Sequence, residues 1–231
     1  MDHPKPTGHV PAMPFTRADL EQGSPRLLAQ GRWANAVVNL FEHRGVTWVV
    51  KDFSERSLLV RNLIGRLLVR REARSLARVD GLPHMPQGAF RIDAYALAYR
   101  YVPGRNLRGK PPFVPAPEFF PTLERALVAL HERAGLAHLD LRNAKNLLAT
   151  EAGEPLVLDF QTAVSTHWMP GPLRRFAEQV DLAAIYKHWK KRSPATLGPE
   201  RLAALGYMNR LRPLWVARGY IGSPDPAKRK K

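Results

Sequence analysis

The spacing of apolar residues changes once along this chain, and the change restricts the folds available to it. Short alternating apolar stretches occupy residues 27–50 and 89–102, which is typical of antiparallel strands. One helical stretch lies between them at residues 56–79, and helical spacing dominates after the prolines of residues 103–117. Strands and helices do not alternate as they do in a doubly wound sheet. The order predicts an α+β chain with a sheet-rich first half and a mainly helical second half.

The helical stretches are predicted from apolar residues that recur at helical spacing. In residues 56–79 these are leucines with arginines between them, and Gly81-Leu82-Pro83 is a stop signal. The leucines are Leu59, Leu63, Leu67 and Leu76. Three more helices are predicted, over residues 120–134, 173–191 and 198–211.

One loop brings together a carboxylate, a basic side chain and an amide. They are Asp140, Arg142 and Asn146, and a second carboxylate, Asp159, follows the apolar residues 155–158. A phosphoryl-transfer site needs one group that orients an acceptor hydroxyl and oxygen ligands that hold Mg²⁺ against the phosphates. The alternative for each aspartate is an ordinary turn or helix cap.

These residues resemble signature motifs of protein kinases. His138–Asn146 resembles the H-R-D-L-x-x-x-N catalytic loop, and Asp159-Phe160 resembles the start of D-F-G. Upstream, Trp48–Lys51 resembles the strand-borne lysine motif V-A-I-K. With residues such as Arg71-Glu72-Ala73, the chain looks most like small bacterial kinases related to lipopolysaccharide-core kinases and to RIO serine/threonine kinases. The resemblance covers about residues 27–190.

The resemblance implies a two-lobed protein-kinase-like fold that uses ATP and Mg²⁺. The N-lobe would be an antiparallel sheet with one helix, and the C-lobe would be mainly helical. Asp140 would orient the acceptor hydroxyl, and Arg142 would neutralise the transferring charge. Asn146 and Asp159 would bind the metal.

The resemblance also implies a nucleotide-binding set in the first half. Lys51 would bind the phosphates and pair with a helix glutamate, for which Glu72 is favoured and Glu55 is an alternative. Gly31 would lie in the phosphate-covering loop. The adenine would contact the hinge, whose residues are Tyr99, Tyr101 and Val102.

The chain departs from the kinase pattern at several positions. Only Gly31 remains of the glycine-rich loop, Gln161 replaces the glycine of D-F-G, and no A-P-E follows. Asn146 comes six residues after Asp140, where the pattern has five, and Asn143 comes three after. The second metal ligand is thus left open between them, with Asn146 favoured because Leu147-Leu148 follows it. Because of these departures from the kinase pattern, the alternative function is that of a pseudokinase, which would act as a nucleotide- or partner-binding module.

The formal net charge of +16 predicts a polyanionic acceptor or partner. A glycolipid, a membrane surface or a phospho-rich protein fits this charge, and nucleic acid is less favoured because the aromatic residues are not interleaved with the arginines. A non-catalytic RNA- or membrane-binding protein is a third hypothesis. No run reaches the ~18 apolar residues of a membrane span, and the chain has no cysteine. We expect a cytoplasmic protein, either soluble or peripheral at the inner face of the membrane.

Four segments are predicted along the chain. Residues 1–22 are expected to be a disordered leader and residues 223–231 a basic disordered tail. Residues 23–102 would form the N-lobe and residues 103–222 the C-lobe. The predicted activity is transfer of the γ-phosphoryl group of ATP to an alcohol group, on either a protein serine or threonine or a sugar of the lipopolysaccharide core. The sequence does not decide between these acceptors, and it does not give the oligomeric state.

Overall fold

The chain forms two compact units. The first contains the residues up to Asp80 together with Pro86–Val102, and the second contains Gly81–Met85 and the residues from Pro103 on. The predicted tail and the first twelve residues of the predicted leader lie outside the described residues. The computed structural model describes residues 13–31, 35–109 and 112–211.

The first unit is built on a five-stranded antiparallel sheet. Its strands are β1 (Arg26–Ala29), β2 (Val37–His43), β3 (Val46–Asp52), β4 (Phe90–Arg91) and β5 (Ala96–Arg100). Their order across the sheet is β1-β2-β3-β5-β4, which makes β3 the central strand. The turn between β2 and β3 is Arg44-Gly45, and both residues have positive φ angles, 50° and 75°. Two such residues give the turn a twist that matches the strands.

Residues 13–22 correct the expectation of a disordered leader, because they are packed in the first unit. The ring of Phe15 is 2% exposed. It meets three other rings edge-on, at centroid distances of 4.9, 5.7 and 5.0 Å. Burial of a large aromatic side chain compensates for the lost chain entropy, so the expectation is wrong for these residues. The three contacting rings are those of Phe41, Trp48 and Phe90.

The short helix α1 (Arg17–Gln22) is tied to the sheet at its first residue. The guanidinium of Arg17 forms ion pairs with the carboxylates of Asp52 and Asp93. Asp52 is the last residue of β3, and Asp93 lies in the turn before β5. Thr16 caps the helix in a reciprocal arrangement with Asp19. A proline-rich leader gives no sign of these partners, because they lie 35 and 76 residues away.

The long helical segment of the first unit covers residues 58–79. It contains a π-helical stretch, Val60–Gly65, and continues as α2 (Arg66–Val79). Its buried residues are Val69, Glu72, Ser75, Leu76 and Val79. Three of the four leucines that mark the predicted apolar face are exposed instead. They are Leu59, Leu63 and Leu67.

Over its described residues, the second unit holds three long helices and two small sheets. The helices are α3 (Phe119–Ala129), which continues as a π-helical segment Leu130–Ala134, α4 (Gly171–Arg192) and α5 (Pro199–Leu211). The helical predictions for this half are close to these bounds. One sheet has the order β6-β8-β9, and β7 pairs with β10. The strands are β6 (Gly104–Asn106), β7 (Leu136–Ala137), β8 (Leu147–Thr150), β9 (Pro155–Val157) and β10 (Val164–Ser165).

The helices of the second unit pack around a buried tryptophan. The ring of Trp189 in α4 is 1% exposed and stacks on Phe120 of α3, with 5.4 Å between centroids. Its indole N–H donates to Thr196 Oγ1 at 2.8 Å. Glu124 of α3 accepts hydrogen bonds from Arg201 of α5, at 2.7 Å from Nη2 to Oε2. The contacts of Trp189 hold α4 in place, and α4 supplies side chains to the site described below.

We expect Phe15→Ala to lower the free energy of unfolding by about 3–5 kcal/mol, because the substitution removes a buried ring from four-ring packing. Met13→Ala is the matched control, since Met13 is half exposed, and its effect should stay within about 0.5 kcal/mol. Urea denaturation of both variants measures the difference. An unchanged unfolding free energy in Phe15→Ala would show that residues 13–22 behave as the leader that the sequence predicts.

Candidate active site

In the first unit, Lys51 and Glu72 form a buried ion pair. Lys51 lies in the central strand β3, opposite Val38 of β2 and Leu97 of β5. Its Nζ is 2.6 Å from Oε1 of Glu72, and the two side chains are 12% and 3% exposed. Burying two charges is costly unless they are paired with good geometry. Glu55, the alternative partner considered from the sequence, is exposed.

Gly31 lies where the sequence places the phosphate-covering loop. Its φ is +58°, and a Cβ at this position would come within 2.3 Å of the carbonyl oxygen of Ala36. Only glycine fits both constraints. Arg56 donates to the backbone carbonyls of Gln30 and Asn35, the latter at 3.0 Å, and so joins the two ends of the loop. Residues 32–34, which complete the predicted loop, lie outside the described residues.

The predicted hinge residues lie at the end of β5. Tyr99 is buried within the strand, opposite Val49 of β3. Tyr101 and Val102 follow the strand and are half-buried. The N–H of Tyr101 donates to the carbonyl of Thr47 at 2.9 Å, which extends the pairing with β3 by one residue.

In the second unit, Asp140 and Asn146 are bonded directly despite the additional residue between them. The Nδ2 group of Asn146 donates to Oδ2 of Asp140 at 2.9 Å and to its backbone carbonyl at 3.0 Å. A short 3₁₀ helix, Ala144–Asn146, brings the amide back to the aspartate. Because the amide nitrogen of Asn146 donates to Asp140, the amide oxygen Oδ1 is the atom of Asn146 that can accept a hydrogen bond or bind a cation.

Asn143, the other candidate amide, caps this 3₁₀ helix. Its side-chain oxygen accepts from the N–H of Lys145 at 3.3 Å. Its backbone N–H donates to the carbonyl of Asp140 at 3.3 Å, and its carbonyl accepts from the N–H of Asn146 at 3.0 Å. Asn143 therefore stabilises the turn between Asp140 and Asn146, and its side chain also interacts with the Asp140 carboxyl group.

Burial and the nearby charge of Asp159 both act on the pKa of Asp140. Burial is the largest cause that raises the pKa of Asp140, and the negative charge of Asp159 raises it further. The hydrogen bond from Asn146 and the nearby His138 act in the opposite direction. Two carboxylates that repel each other in a half-buried place favour a bound cation.

Asp159 has a backbone conformation that is uncommon for its residue type. Its φ is +66°, and Leu139 in the loop has a φ of +64°. Such conformations persist where the surrounding structure determines them. Here the carbonyl of Leu158 contacts Nε2 of His138 at 3.0 Å, and the hydroxyl of Thr162 donates to the carbonyl of His138 at 2.9 Å. The segment carrying Asp159 is thus bonded to the loop on both sides of the aspartate.

His138 holds the loop in place through its ring nitrogen atoms. It is 0% exposed, and its Nδ1 accepts from the N–H of Asp140 at 3.3 Å. Its ring also meets Phe160 edge-on, with 4.9 Å between centroids. These contacts give the imidazole a structural task in the loop.

Asp181 is a residue of this site that the sequence analysis misses. It lies in α4, is 0% exposed, and accepts from the backbone N–H groups of His138 at 2.6 Å and Leu139 at 2.8 Å. Nε2 of His131 lies 3.1 Å from the same carboxylate. A signal is present in the sequence, because Asp181 occupies an apolar position of the helix. The apolar residues around it at helical spacing are Ala177, Val180, Ala184 and Ile185.

His188, two helical turns after Asp181, holds the other side of the loop. Its Nε2 bonds the carbonyl of Leu141 at 3.0 Å. Burial lowers the pKa of His188 to about 4, so at neutral pH the ring is uncharged and donates to this carbonyl. Arg142, the next residue, is half-buried on the same loop. Asp181 and His188 together fix the loop to a single helix.

Donor chemistry in the second unit fits a divalent cation bound together with a phosphate. Asp159 and Asn146 offer oxygen atoms, which Mg²⁺ prefers, and Mg²⁺ usually takes only one or two protein carboxylates. Within the described residues, no group of three or more histidine, cysteine, aspartate and glutamate side chains could hold a metal ion. A cation bound by these two side chains would need further oxygen ligands.

Comparison with solved structures identifies the fold. The chain is similar to the Rio2 kinase from Chaetomium thermophilum, with a TM-score of 0.56, 19% identity and 82% of this chain covered. It is also similar to the ADP/Mg²⁺-phosphoaspartate complex of that kinase, with a TM-score of 0.53, 20% identity and again 82% coverage. The matches span 65% and 63% of those chains, which is less than two thirds. The predicted α+β, protein-kinase-like fold is confirmed.

Comparisons of the amino-acid sequence do not assign the chain to a family. No protein-family model matches the chain, and no curated protein matches it. The identities to the solved structures are about one residue in five, so the likeness shows the fold alone.

We expect Asp181→Asn to destabilise the protein by about 2–4 kcal/mol. One of the two backbone N–H groups that Asp181 binds would face the NH₂ group of asparagine, which is itself a donor, and the hydrogen bonds to a buried charge would be lost. Glu178→Gln is a matched control on the same helix. Glu178 pairs with Arg174 at 3.6 Å near the surface, and exposed pairs of this kind contribute less than about 1 kcal/mol. Equal unfolding free energies for the two variants in urea would contradict this role of Asp181.

His188 should make stability depend on pH. Its pKa is lowered from 6.5 to about 4 in the folded state, so as pH falls the unfolded state binds the proton first. The contribution of the neutral ring is complete above about pH 6.5 and is lost between pH 6.5 and 4, by about 3 kcal/mol in total. In His188→Gln the fall of the unfolding free energy over this range should be smaller by that amount. Parallel pH profiles for the two proteins would contradict the assignment.

Proposed function

We propose that this protein is an ATP- and Mg²⁺-dependent phosphotransferase that transfers the γ-phosphoryl group to a hydroxyl. The observation that carries the proposal is the arrangement in the second unit. Asp140 is bonded to Asn146 at 2.9 Å and electrostatically coupled to Asp159. Similarity to a kinase that has been solved with ADP and Mg²⁺ supports the choice of nucleotide and metal.

Asn146 and Asp159 are the proposed metal ligands. The amide oxygen of Asn146 is the atom left for a cation once its nitrogen has donated to Asp140. Asn143 is less suitable, because its oxygen caps the 3₁₀ helix. When bound, Mg²⁺ would neutralise charge on the phosphates, and phosphate and water oxygens would complete its coordination.

Asp140 is proposed to bind and orient the acceptor hydroxyl. Asn146 donates to Oδ2 of Asp140, which fixes the rotation of the carboxylate that would accept a hydroxyl proton. The raised pKa of Asp140 makes it a better proton acceptor than an ordinary aspartate once it is ionised. Arg142, half-buried on the same loop, is proposed to neutralise charge on the transferring group.

In the first unit, Lys51 is proposed to bind the phosphates of the nucleotide. Glu72 holds its ammonium group at 2.6 Å, so the lysine side chain is ordered before any ligand binds. Pre-ordered charges stabilise a loose phosphoryl-transfer transition state with little reorganisation. Gly31 would allow a close approach of the backbone to phosphate, and the backbone around Tyr99, Tyr101 and Val102 would contact the adenine.

The acceptor is proposed to be polyanionic or to lie beside anionic groups. The net charge of +16 favours such partners over neutral ones. Both a phospho-rich protein with a serine or threonine acceptor and a sugar of an envelope glycolipid such as the lipopolysaccharide core meet this requirement. The similar Rio2 complex contains phosphoaspartate, so an aspartyl carboxylate of the protein itself belongs among the acceptors to be tested.

We expect Asp159→Asn to lower Mg²⁺-dependent ATP turnover at least about 100-fold, because the metal loses a charged ligand and charge on the phosphates is left uncompensated. The measurement is release of ADP with lipopolysaccharide core and a generic protein as separate acceptors. The labelled acceptor identifies the substrate class, and a hydroxylamine-sensitive label on the protein itself would indicate an aspartyl phosphate.

Glu151→Gln is the control for this experiment, since Glu151 is an exposed carboxylate of the same unit. Its turnover should equal that of the unaltered protein. Turnover that survives Asp159→Asn would overturn the proposed metal site. Nucleotide binding without turnover on any of these acceptors would favour the pseudokinase alternative.

A further inference from the structure

Four exposed leucines lie on the helical segment of the first unit. Leu59, Leu63 and Leu67 follow one another at four-residue intervals, so they lie on one side of the segment. Their side chains are 71%, 65% and 64% exposed, and the adjacent Leu58 is 66% exposed. Single exposed leucines are common, but a contiguous group of large apolar side chains marks an interaction site. These four residues are called the leucine row.

Exposed arginines accompany the leucine row. Arg66, Arg70 and Arg74 follow the same four-residue spacing and are exposed. Within residues 56–78, all of which the structure describes, there are seven arginines and one acidic residue. The acidic residue is Glu72, which is buried against Lys51. The segment therefore presents apolar and cationic groups, and none of its exposed side chains is a carboxylate.

The combination of leucines and arginines discriminates between classes of partner. A nucleic acid would pair with the arginines and would leave the leucines in water. An anionic bilayer uses both, because its acyl region takes up the leucines and its headgroup phosphates attract the arginines. The net charge of +16 means that excess cationic groups are not confined to this helix. A wide distribution of cationic groups suits an extended anionic membrane better than a single acidic groove on a protein.

We propose that the leucine row and Arg66, Arg70 and Arg74 form a surface that lies in the interface of an anionic membrane. Among the described residues, no helix is long and apolar enough to cross a bilayer, so the contact would be peripheral. Glu72 is buried on the other side of the same helix. A membrane contact through the leucine row would therefore leave the Lys51–Glu72 pair intact.

The test is co-sedimentation of the full chain with vesicles, which needs no nucleotide and is independent of the proposed phosphotransferase activity. The vesicles are equimolar phosphatidylcholine and phosphatidylglycerol, compared with phosphatidylcholine alone. The unaltered protein should bind the anionic vesicles and bind the neutral vesicles far more weakly. Leu63→Glu combined with Leu67→Glu should weaken binding to anionic vesicles by about tenfold or more, because burial of two leucines is lost and negative charge is added.

Leu202→Glu is the matched control, since Leu202 is a 45% exposed leucine on α5 of the second unit. It should bind anionic vesicles like the unaltered protein. If the double leucine variant has a lower melting temperature, its weaker vesicle binding could result from unfolding. In that case the double variant Arg70→Gln and Arg74→Gln tests the membrane contact. That variant changes only exposed side chains and should weaken binding to anionic vesicles several-fold.

Three results would overturn the proposal. The first is no binding of the unaltered protein to anionic vesicles. The second is full binding by both the leucine and the arginine variants, which would place lipid contact elsewhere on this basic chain. The third is a dimer that the leucine substitutions convert to a monomer, which would show that a second copy covers the leucine row.

Discussion

The second unit depends on one buried carboxylate that accepts hydrogen bonds from backbone. Asp181 is completely buried and accepts from two consecutive N–H groups of the loop, those of His138 and Leu139. A buried charge is tolerated when it is fully hydrogen-bonded, and this one fixes Leu139 in a left-handed conformation. That conformation sets the direction of the chain at Asp140. The positions of Asn146 and the segment of Asp159 then follow, because both are bonded to the loop.

In the first unit, a buried charge is likewise stabilised by a partner, here one of opposite sign. Lys51 lies in the central strand, where an unpaired ammonium group would be costly, and Glu72 comes from the buried side of α2. Strand and helix are thereby joined at the place where a phosphate-binding charge would be needed. In each unit, a buried acidic side chain, Glu72 or Asp181, holds residues with proposed chemical roles. Such supporting contacts keep a site ordered before ligands arrive.

The sequence predicts the fold well, because strand and helix spacing depends on local pattern, whereas the site residues stay predictions. Apolar spacing places the strands and helices, and the aspartates follow recognisable motifs. Prediction from the sequence fails where the conformation depends on contacts between residues that are far apart in the chain. Phe15 and Arg17 are ordered by residues of the sheet far along the chain, and a leader rich in proline gives no local sign of this. Leu59, Leu63 and Leu67 have helical spacing, but spacing alone does not say which side of a helix faces the core. Asp181 has no motif, and only its apolar neighbours in α4 reveal it.

Asp181 and His188 also bear on how the loop can vary in length. They are seven residues apart on α4, which corresponds to about 10 Å of helix, and they hold the loop at residues 138–139 and 141. The 3₁₀ turn that Asn143 caps lies beyond these anchors and returns the amide of Asn146 to Asp140. The anchored part of the loop is therefore held independently of the turn that follows it. Insertions or deletions after Leu141 can be accommodated as long as the chain returns an amide to Asp140, so motif spacing is a weaker requirement than motif geometry.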